Sequence, residues 1–227
     1  LIDETTLEKI NQVVVECGHK LLKKKDEKLR LKTDSFVLET NVHYPTDLNL
    51  LWDSTRKSLD VVEDLCAISN LQGWRKIKLL RRDSKSLYRN ASTQMFKGKD
   101  EKRKKEEVLC YLNTAKQLSK RFDLVLQTPL YSFSESNAKK IGLLKIDLQK
   151  YNEYLKKFID LTERRLIKGK EIPADEKIFS IFEPHTEWIT KGKMNPRFEL
   201  GHLTLITTDQ FHFIDDYKVM ENEKDAS

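Results

Sequence analysis

The sequence predicts a mixed α/β protein that is mostly helical by residue count. Residues 33–40 and 197–219 alternate in the manner of short strands, whereas the intervening residues 48–169 repeat apolar side chains every three or four positions. Because strand backbone groups need partners, we expect the two strand regions to share one sheet that a long helical insertion interrupts. The expected parts are an N-terminal helical segment (1–32), a mixed α/β part (33–47 and 170–227) and the insertion (48–169).

The first 25 residues predict a helix, which Asp3 and Thr5 can cap at its start. Its apolar residues at helical spacing are Leu7, Ile10, Val14 and Leu21 or Leu22. Residues 20–31 are highly charged and predict a helix end or a solvated turn.

Residues 33–40, TDSFVLET, predict a short buried strand. Pro45 then keeps residue 44 extended, and Thr46 or Asp47 can cap the helix that follows. We expect strand 33–40 to be central in the sheet and strand 211–219 to lie nearer to an edge.

Three apolar seams in the insertion indicate three long amphipathic helices packed as an antiparallel bundle. The seams run through Leu48–Cys66, Val108–Phe122 and Leu144–Leu166. The expected connections are near Gly73, Gly98, Pro129 and Ser132–Ser136.

The region after Gly169 is rich in Pro and Gly and predicts strands again. Phe198–Thr208 and Phe211–Val219 are expected as two strands joined by a tight turn at Asp209 and Gln210. The tail, residues 221–227, could begin another helix.

Composition narrows the class of protein. The net charge of +6 over 227 residues fits a polyanionic partner or an ordinary basic protein. No apolar run is long enough to span a bilayer, and no signal peptide is visible. The start at Leu1, without Met and within a helical pattern, indicates a fragment or a truncated copy.

The three cysteines, Cys17, Cys66 and Cys110, are far apart and odd in number, which argues against a disulfide framework or a zinc site. Each is expected to be a small buried hydrophobic residue. A reducing, cytoplasmic location is therefore the default.

Asp34 is the first candidate for chemistry. Phosphoryl-transfer enzymes use rigid carboxylates to hold two divalent ions around the scissile phosphate, and a carboxylate at the start of a buried strand is costly unless it is paired or binds metal. The alternative is an ordinary cap or surface residue.

Residues 182–202 form the second candidate, because carboxylates, imidazoles and cations lie close together in FEPHTEWITKGKMNPRFELGH. Lys191 and Lys193, separated by one glycine, suit phosphate contact, and Arg197 follows. His185 and His202 could be metal ligands or structural residues. The alternative for the whole segment is a hairpin loop with solvated lysines.

The third candidate is a basic tract, residues 71–105, with 13 Lys or Arg against 3 acidic residues and a local net charge of +10. Trp74, Tyr88 and Phe96 are interleaved with the cations. One face of such a helix could follow a DNA backbone, or it could only keep the insertion solvated. The candidate contacts in the tract are Arg75, Lys76, Arg81, Arg82, Arg89, Lys102, Arg103 and Lys104.

The first two candidates together resemble one family. TDSFVLETNVHYPTDLNLLWDS, followed after the helical stretch by IFSIFEPHTEWITKGKMNPRFELGH, is similar to bacterial insertion-sequence transposases with a DDE, RNase H-like catalytic domain. The resemblance covers nearly the whole chain. It implies a partial RNase H-like sheet interrupted by the helical insertion.

In this family Asp34 matches the first catalytic Asp, and the resemblance implies Mg²⁺ or Mn²⁺ as cofactor and DNA, both transposon ends and target, as partner. The second Asp and the Glu of the family have no counterpart here; Asp209, Asp215, Asp216 and Asp225 do not match them. We therefore expect an incomplete copy that is inactive alone. Its oligomeric state stays open, a homo-oligomer included.

Two other classes of protein remain open. One is a non-catalytic basic helical protein that binds nucleic acid through residues 48–168. The other is a structural helical protein whose charges only keep it soluble.

Overall fold

The computed structural model describes residues 3–22, 28–131, 134–190 and 197–220, without the side chains of Glu135 and Ser136. The chain divides into two compact units, unit 1 (1–42 and 185–227) and unit 2 (43–184). Unit 1 contains helix α1 (Glu4–Leu21) and strands β1 (Lys32–Glu39), β2 (Glu187–Thr190), β3 (Phe198–Thr208) and β4 (Ile214–Met220). Unit 2 contains helices α2 (Asp47–Ile68), α3 (Ile77–Lys97), α4 (Glu101–Gln127) and α5 (Glu135–Thr162).

Unit 2 is a helical bundle whose core is made by the apolar seams of α2, α4 and α5. Leu51, Tyr111, Phe122 and Phe158 are among its fully buried side chains. Each large apolar side chain buried in this way contributes about 1.5–3 kcal/mol relative to exposure. The side chain of Thr46 caps α2, as the sequence predicted.

The sequence predicted three helices in this block, and that number is wrong, because α3 is a fourth. The connections near Gly73, Gly98 and Pro129 are confirmed. α3 has an apolar face that is interrupted by the small polar residue Ser84. Its buried and partly buried apolar residues are Ile77, Leu80, Leu87, Tyr88, Ala91 and Met95. Its attachment relies in part on Trp74 just before it, which stacks on Phe122 with 5.6 Å between the ring centroids.

Unit 1 contains a small antiparallel sheet in which β3 is the central strand. β1 pairs with one edge of β3, from Lys32 opposite Thr208 to Glu39 opposite Gly201. β2 and β4 share the other edge of β3. The predicted pairing of residues 33–40 with residues 198–208 is therefore confirmed.

The predicted central position of the first strand is wrong, because β1 is an edge strand among the described residues. The 11 residues of β3 are long enough to pair with β2 and with β4 on the same side. This leaves β1 one partner. Most of β1 is exposed, so the prediction of a buried strand is also wrong.

The connection between β3 and β4 spans residues 209–213, so the predicted tight turn at Asp209 and Gln210 is too short. Asp209 organises this loop, because its carboxylate accepts hydrogen bonds from the backbone N–H groups of Phe211 (2.8 Å) and Phe213 (3.0 Å). His212 takes a left-handed conformation with φ 67°. The carboxylate of Asp209 also pairs with the ring of His19 on α1.

Helix α1 begins where the sequence predicted, since Asp3 accepts a hydrogen bond from Thr6 N–H at 2.9 Å. It ends at Leu21, earlier than expected. None of the described helices is both long and apolar enough to cross a bilayer. The predicted tail helix, residues 221–227, and the lysines 23–25 lie outside the described residues.

The expectation of buried cysteines is wrong. Cys17 and Cys110 are exposed and Cys66 is half-buried. Cys110 shows the reason, since it lies on the outer side of α4 although Tyr111 beside it is fully buried. Neighbours along a helix point about 100° apart, so apolar neighbours in sequence do not imply a shared burial.

Candidate functional site

Asp34 lies near the start of β1, opposite Ile206 of β3, with its side chain exposed. Its carboxylate accepts a hydrogen bond from the N–H of Ser35 at 2.9 Å. Phe36 and Leu38 share its face of the strand, because side chains alternate along β1, and both are exposed. Asp34 is solvated, so its carboxylate does not need a metal ion to offset a cost of burial. Its oxygens are accessible to a ligand.

The described residues contain no group of three or more His, Cys, Asp or Glu side chains that could hold a metal ion. Asp209 is already engaged by His19 and by its own loop. Asp216 lies on β4 opposite Thr207, with β3 between it and β1. Asp34 alone therefore does not fit a site for two divalent ions, and no metal-dependent step follows from these residues.

The segment around residues 185–202 is held together by ring stacking and charge. His185 and His202 are stacked with 5.0 Å between ring centroids, and the rings of Trp188 and Phe198 are stacked at 4.1 Å. Glu187 approaches His202 with 3.6 Å between Oε1 and Nδ1, which is longer than a hydrogen bond. These contacts fasten β2 to β3.

Arg197 is exposed just before β3. Lys191 and Lys193, the predicted phosphate contacts, lie outside the described residues.

Two of the predicted DNA contacts in the basic tract are engaged inside unit 2. Arg81 lies 2.8 Å from Asp60 and 2.6 Å from Glu63. Partial burial alone would lower the pKa of Arg81, but the hydrogen bonds and charges of these two carboxylates outweigh it and raise the pKa. Lys104 pairs with Glu101 at 2.6 Å. Arg81 and Lys104 therefore act first as parts of the bundle.

A different set of cations forms what we call the α3 stripe, which consists of Lys78, Arg82, Lys85 and Arg89. The steps of four, three and four residues keep them on one side of α3, and all four are exposed. Among the described residues, Arg82 alone of the four has an ion-pair partner, Asp83 at 3.5 Å on an exposed surface. Such an exposed pair contributes little.

Of these four residues, Arg82 and Arg89 were predicted from the sequence as DNA contacts, whereas Lys78 and Lys85 were not. Lys78 and Lys85 can be identified in the sequence by searching for cations, instead of apolar residues, at helical spacing. Arg75 and Lys76, which were also predicted from the sequence, are exposed just before α3 begins. Lys102 and Arg103, likewise predicted, are exposed at the start of α4.

Other cations of unit 2 give an internal comparison, because they are paired with carboxylates. Lys116 and Lys168 both bind Glu163, and hydrogen bonds from these two lysines lower the pKa of Glu163 to about 2. Arg164 binds Glu176 and Asp160. The cations of the α3 stripe are not used in this way.

The start of α3 also carries the wrong charges for helix stability. A helix N-terminus is the positive end of the helix dipole and favours acidic residues. α3 has no acidic residue in its first turn and no side-chain cap, and Lys76 and Lys78 occupy this end. α4, by contrast, begins with Asp100 as cap and Glu101 in its first turn. The charges of α3 thus weaken the helix and create a region of positive potential.

Comparisons with protein-family models, with curated proteins and with solved structures found no match to this chain.

Proposed function

We propose that this chain is part of a DDE-type transposase, an enzyme that cuts DNA at transposon ends and joins it to a target, and that Asp34 is its first catalytic carboxylate. The observation that carries the proposal is the position of Asp34, an accessible carboxylate on the first strand of a sheet. The two sequence motifs that resemble this family contribute the strands β1, β2 and the start of β3. We infer that β1, β3 and β4 belong to an RNase H-like core.

Asp34 can supply one of the oxygen ligands that Mg²⁺ or Mn²⁺ prefers. In a complete enzyme of this class, Asp34 would be one of several residues that hold such ions, and the ions would supply activation of water and stabilisation of the charge on the scissile phosphate. The described residues do not join Asp34 to two further His, Cys, Asp or Glu side chains in a group that could hold a metal ion. The isolated chain is therefore expected to bind DNA without cutting it.

The α3 stripe supports DNA as the partner. The stripe places four exposed cations on one helix face, and Arg82 alone has a weak ion pair, with Asp83. Such an array suits the regularly spaced charges of a phosphate backbone. Lys and Arg contacts of this kind give affinity without sequence information. Recognition of transposon ends would need other groups.

Transposition of the whole gene tests the proposal. A gene that encodes this chain together with the two missing carboxylates, carried with its flanking DNA and a resistance marker, should move to a target plasmid in cells, and Asp34→Asn should abolish the movement. Asp215→Asn is the matched control, because Asp215 is an exposed strand carboxylate to which we assign no role. If the Asp34 variant transposes as often as the control, Asp34 is not catalytic.

A second candidate function is a non-catalytic nucleic-acid-binding protein, which the unpaired cations of unit 2 favour. It predicts DNA binding that depends on the α3 stripe, with no movement of the gene and no effect of Asp34→Asn. A purely structural protein predicts that neutralising the stripe leaves DNA affinity unchanged.

A further inference from the structure

Phe96 occupies an unusual position for a phenylalanine. Its side chain is 76% exposed in the last turn of α3, although Met95 beside it packs against the core. It follows Lys78 by 18 residues, which is five turns of an α-helix, so the ring lies in line with the α3 stripe. Lys97 and Lys99, both exposed, come directly after it.

From this alignment we propose that α3 holds a DNA strand with an unpaired base, with phosphates on the α3 stripe and the base stacked on Phe96. The stripe rises along the helix in steps of about 4.5–6 Å, since each residue adds about 1.5 Å. Phe96 lies about 10 Å beyond Arg89 on the same scale. The long side chains of the cations adapt to the path of one strand.

The chemistry of phenylalanine points to a base that is not paired. The ring has no hydrogen-bonding group and so cannot select a base by its edge. Its face can stack on any base, but in a duplex the faces of a base are covered by its neighbours. Proteins that hold single strands combine cations with an aromatic side chain in this way.

The inference rests on the proposed function for its partner, DNA, but it does not depend on the chemistry of Asp34. DNA with frayed, nicked or overhanging ends presents the unpaired bases that Phe96 would hold. DNA cutting and joining produce such ends. Loss of transposition in Asp34→Asn and loss of single-strand binding in Phe96→Ala are therefore separate results.

The test is the affinity of the full chain for three labelled DNA probes of the same mixed sequence, measured by fluorescence anisotropy. The probes are a single strand, a blunt duplex and a duplex with a single-stranded overhang. Phe96→Ala should weaken binding of the single strand and the overhang by about 5- to 150-fold, the range for loss of one base–aromatic stack. The affinity for the blunt duplex should fall by less than about 5-fold.

Phe96→Trp should keep the preference, because it keeps an aromatic face. Leu124→Ala is the matched control, since Leu124 is an exposed apolar side chain of α4 outside the stripe. Circular dichroism confirms that the variants are folded. The proposal is overturned if Phe96→Ala affects all three probes equally or none of them, or if an RNA strand of the same sequence binds more tightly than the DNA strand.

Discussion

The ring of His19 on α1 and the carboxylate of Asp209 after β3 are hydrogen-bonded, and this contact fastens the N-terminal helix to the β3–β4 loop. The rings of Phe211 and Phe213 stand edge-on to His19 at 5.7 and 5.4 Å. Asp209 has no exposed side-chain surface. One carboxylate therefore organises the loop and holds α1.

Replacing His19 with alanine should loosen α1. Loss of a hydrogen bond to a charged group costs about 1.5–3 kcal/mol. We expect faster hydrogen–deuterium exchange of the α1 amides, measured by mass spectrometry. Lys9→Ala is the control, because Lys9 is an exposed cation on the same helix. Equal exchange in the two variants would show that the His19–Asp209 pair does not hold α1.

The same pair predicts how unit 1 responds to pH. Burial alone would raise the pKa of Asp209, but hydrogen bonds from His19 and from the N–H groups of Phe213 and Phe211 outweigh it and lower the pKa. A lowered folded-state pKa gives stability that is complete above the unfolded value of about 3.9. This stability is lost as the pH falls through the folded-state pKa, and Asp209→Asn should remove that part of the acid transition.

Gly201 is required for the pairing of β1 with β3. A Cβ atom there would lie 2.8 Å from the carbonyl carbon of Leu38 and 2.9 Å from the Cα of Glu39, which are backbone atoms that cannot move away alone. Gly201→Ala should lower the free energy of unfolding by about 1–3 kcal/mol. It should lower the urea midpoint accordingly.

Gly142 in α5 provides the control for this substitution, because a Cβ atom there meets nothing within 4 Å. Gly142→Ala should raise the free energy of unfolding by about 0.5–1 kcal/mol, the helix preference of alanine over glycine. If both variants shift stability in the same direction, the close approach at Gly201 is not limiting.

Asp53 in α2 should cost stability at neutral pH. Its burial raises the pKa, against the charges of His43 and Arg56, whose nitrogens lie 3.2 and 3.5 Å from it. The charge of Lys57 also lowers the pKa of Asp53, but burial remains the larger effect. A raised folded-state pKa favours the protonated acid, so this cost appears as the pH rises through that pKa and is absent below the unfolded value.

Asp53→Asn should therefore unfold at higher urea than the wild type at pH 7, and the difference should shrink as the pH approaches the unfolded value of about 3.9. Asp64→Asn, an exposed carboxylate on the same helix, is the control and should change little. A destabilised Asp53→Asn at pH 7 would mean that the pair with His43 outweighs the burial.

Neutralising the α3 stripe should reduce both DNA affinity and its dependence on salt. Changing Lys78, Arg82, Lys85 and Arg89 to glutamine removes up to four phosphate contacts, so the slope of log affinity against log salt should become shallower by up to about 3.6. The loss should be similar on unrelated sequences. A control set changes four exposed lysines elsewhere in unit 2, which are Lys120, Lys139, Lys140 and Lys150. If the two sets of substitutions have equal effects, the α3 stripe contributes only to the overall charge and is not a specific phosphate-binding surface.

The sequence predicted the elements that depend on local chemistry. It also predicted one long-range feature, the pairing of two strands that are far apart in the sequence. Asp3 and Thr46 cap their helices as expected, because capping is decided within three residues. β1 and β3 pair although residues 43–184 lie between them in the sequence, because a strand needs backbone partners. Both predictions needed no knowledge of packing.

The features that the sequence did not predict depend on packing between distant residues. The apolar face of α3 is less evident in the sequence because small residues, Ser84 and Ala91, occupy two of its buried positions among many basic residues. The edge position of β1 follows from the length of β3, and local alternation contains no information on strand order. The engagement of Arg81 by Asp60 and Glu63 likewise depends on how α2 packs against α3.

The most direct test of the central claim is strand joining in vitro by a purified protein that contains this chain together with the two missing carboxylates. A labelled DNA carrying a transposon end with a free 3′-hydroxyl is incubated with a target plasmid and Mg²⁺. We predict joined product with the wild type and none with Asp34→Asn, while both proteins bind the labelled end with equal affinity. Joined product from Asp34→Asn at the wild-type level would contradict the assignment of Asp34 as a catalytic carboxylate.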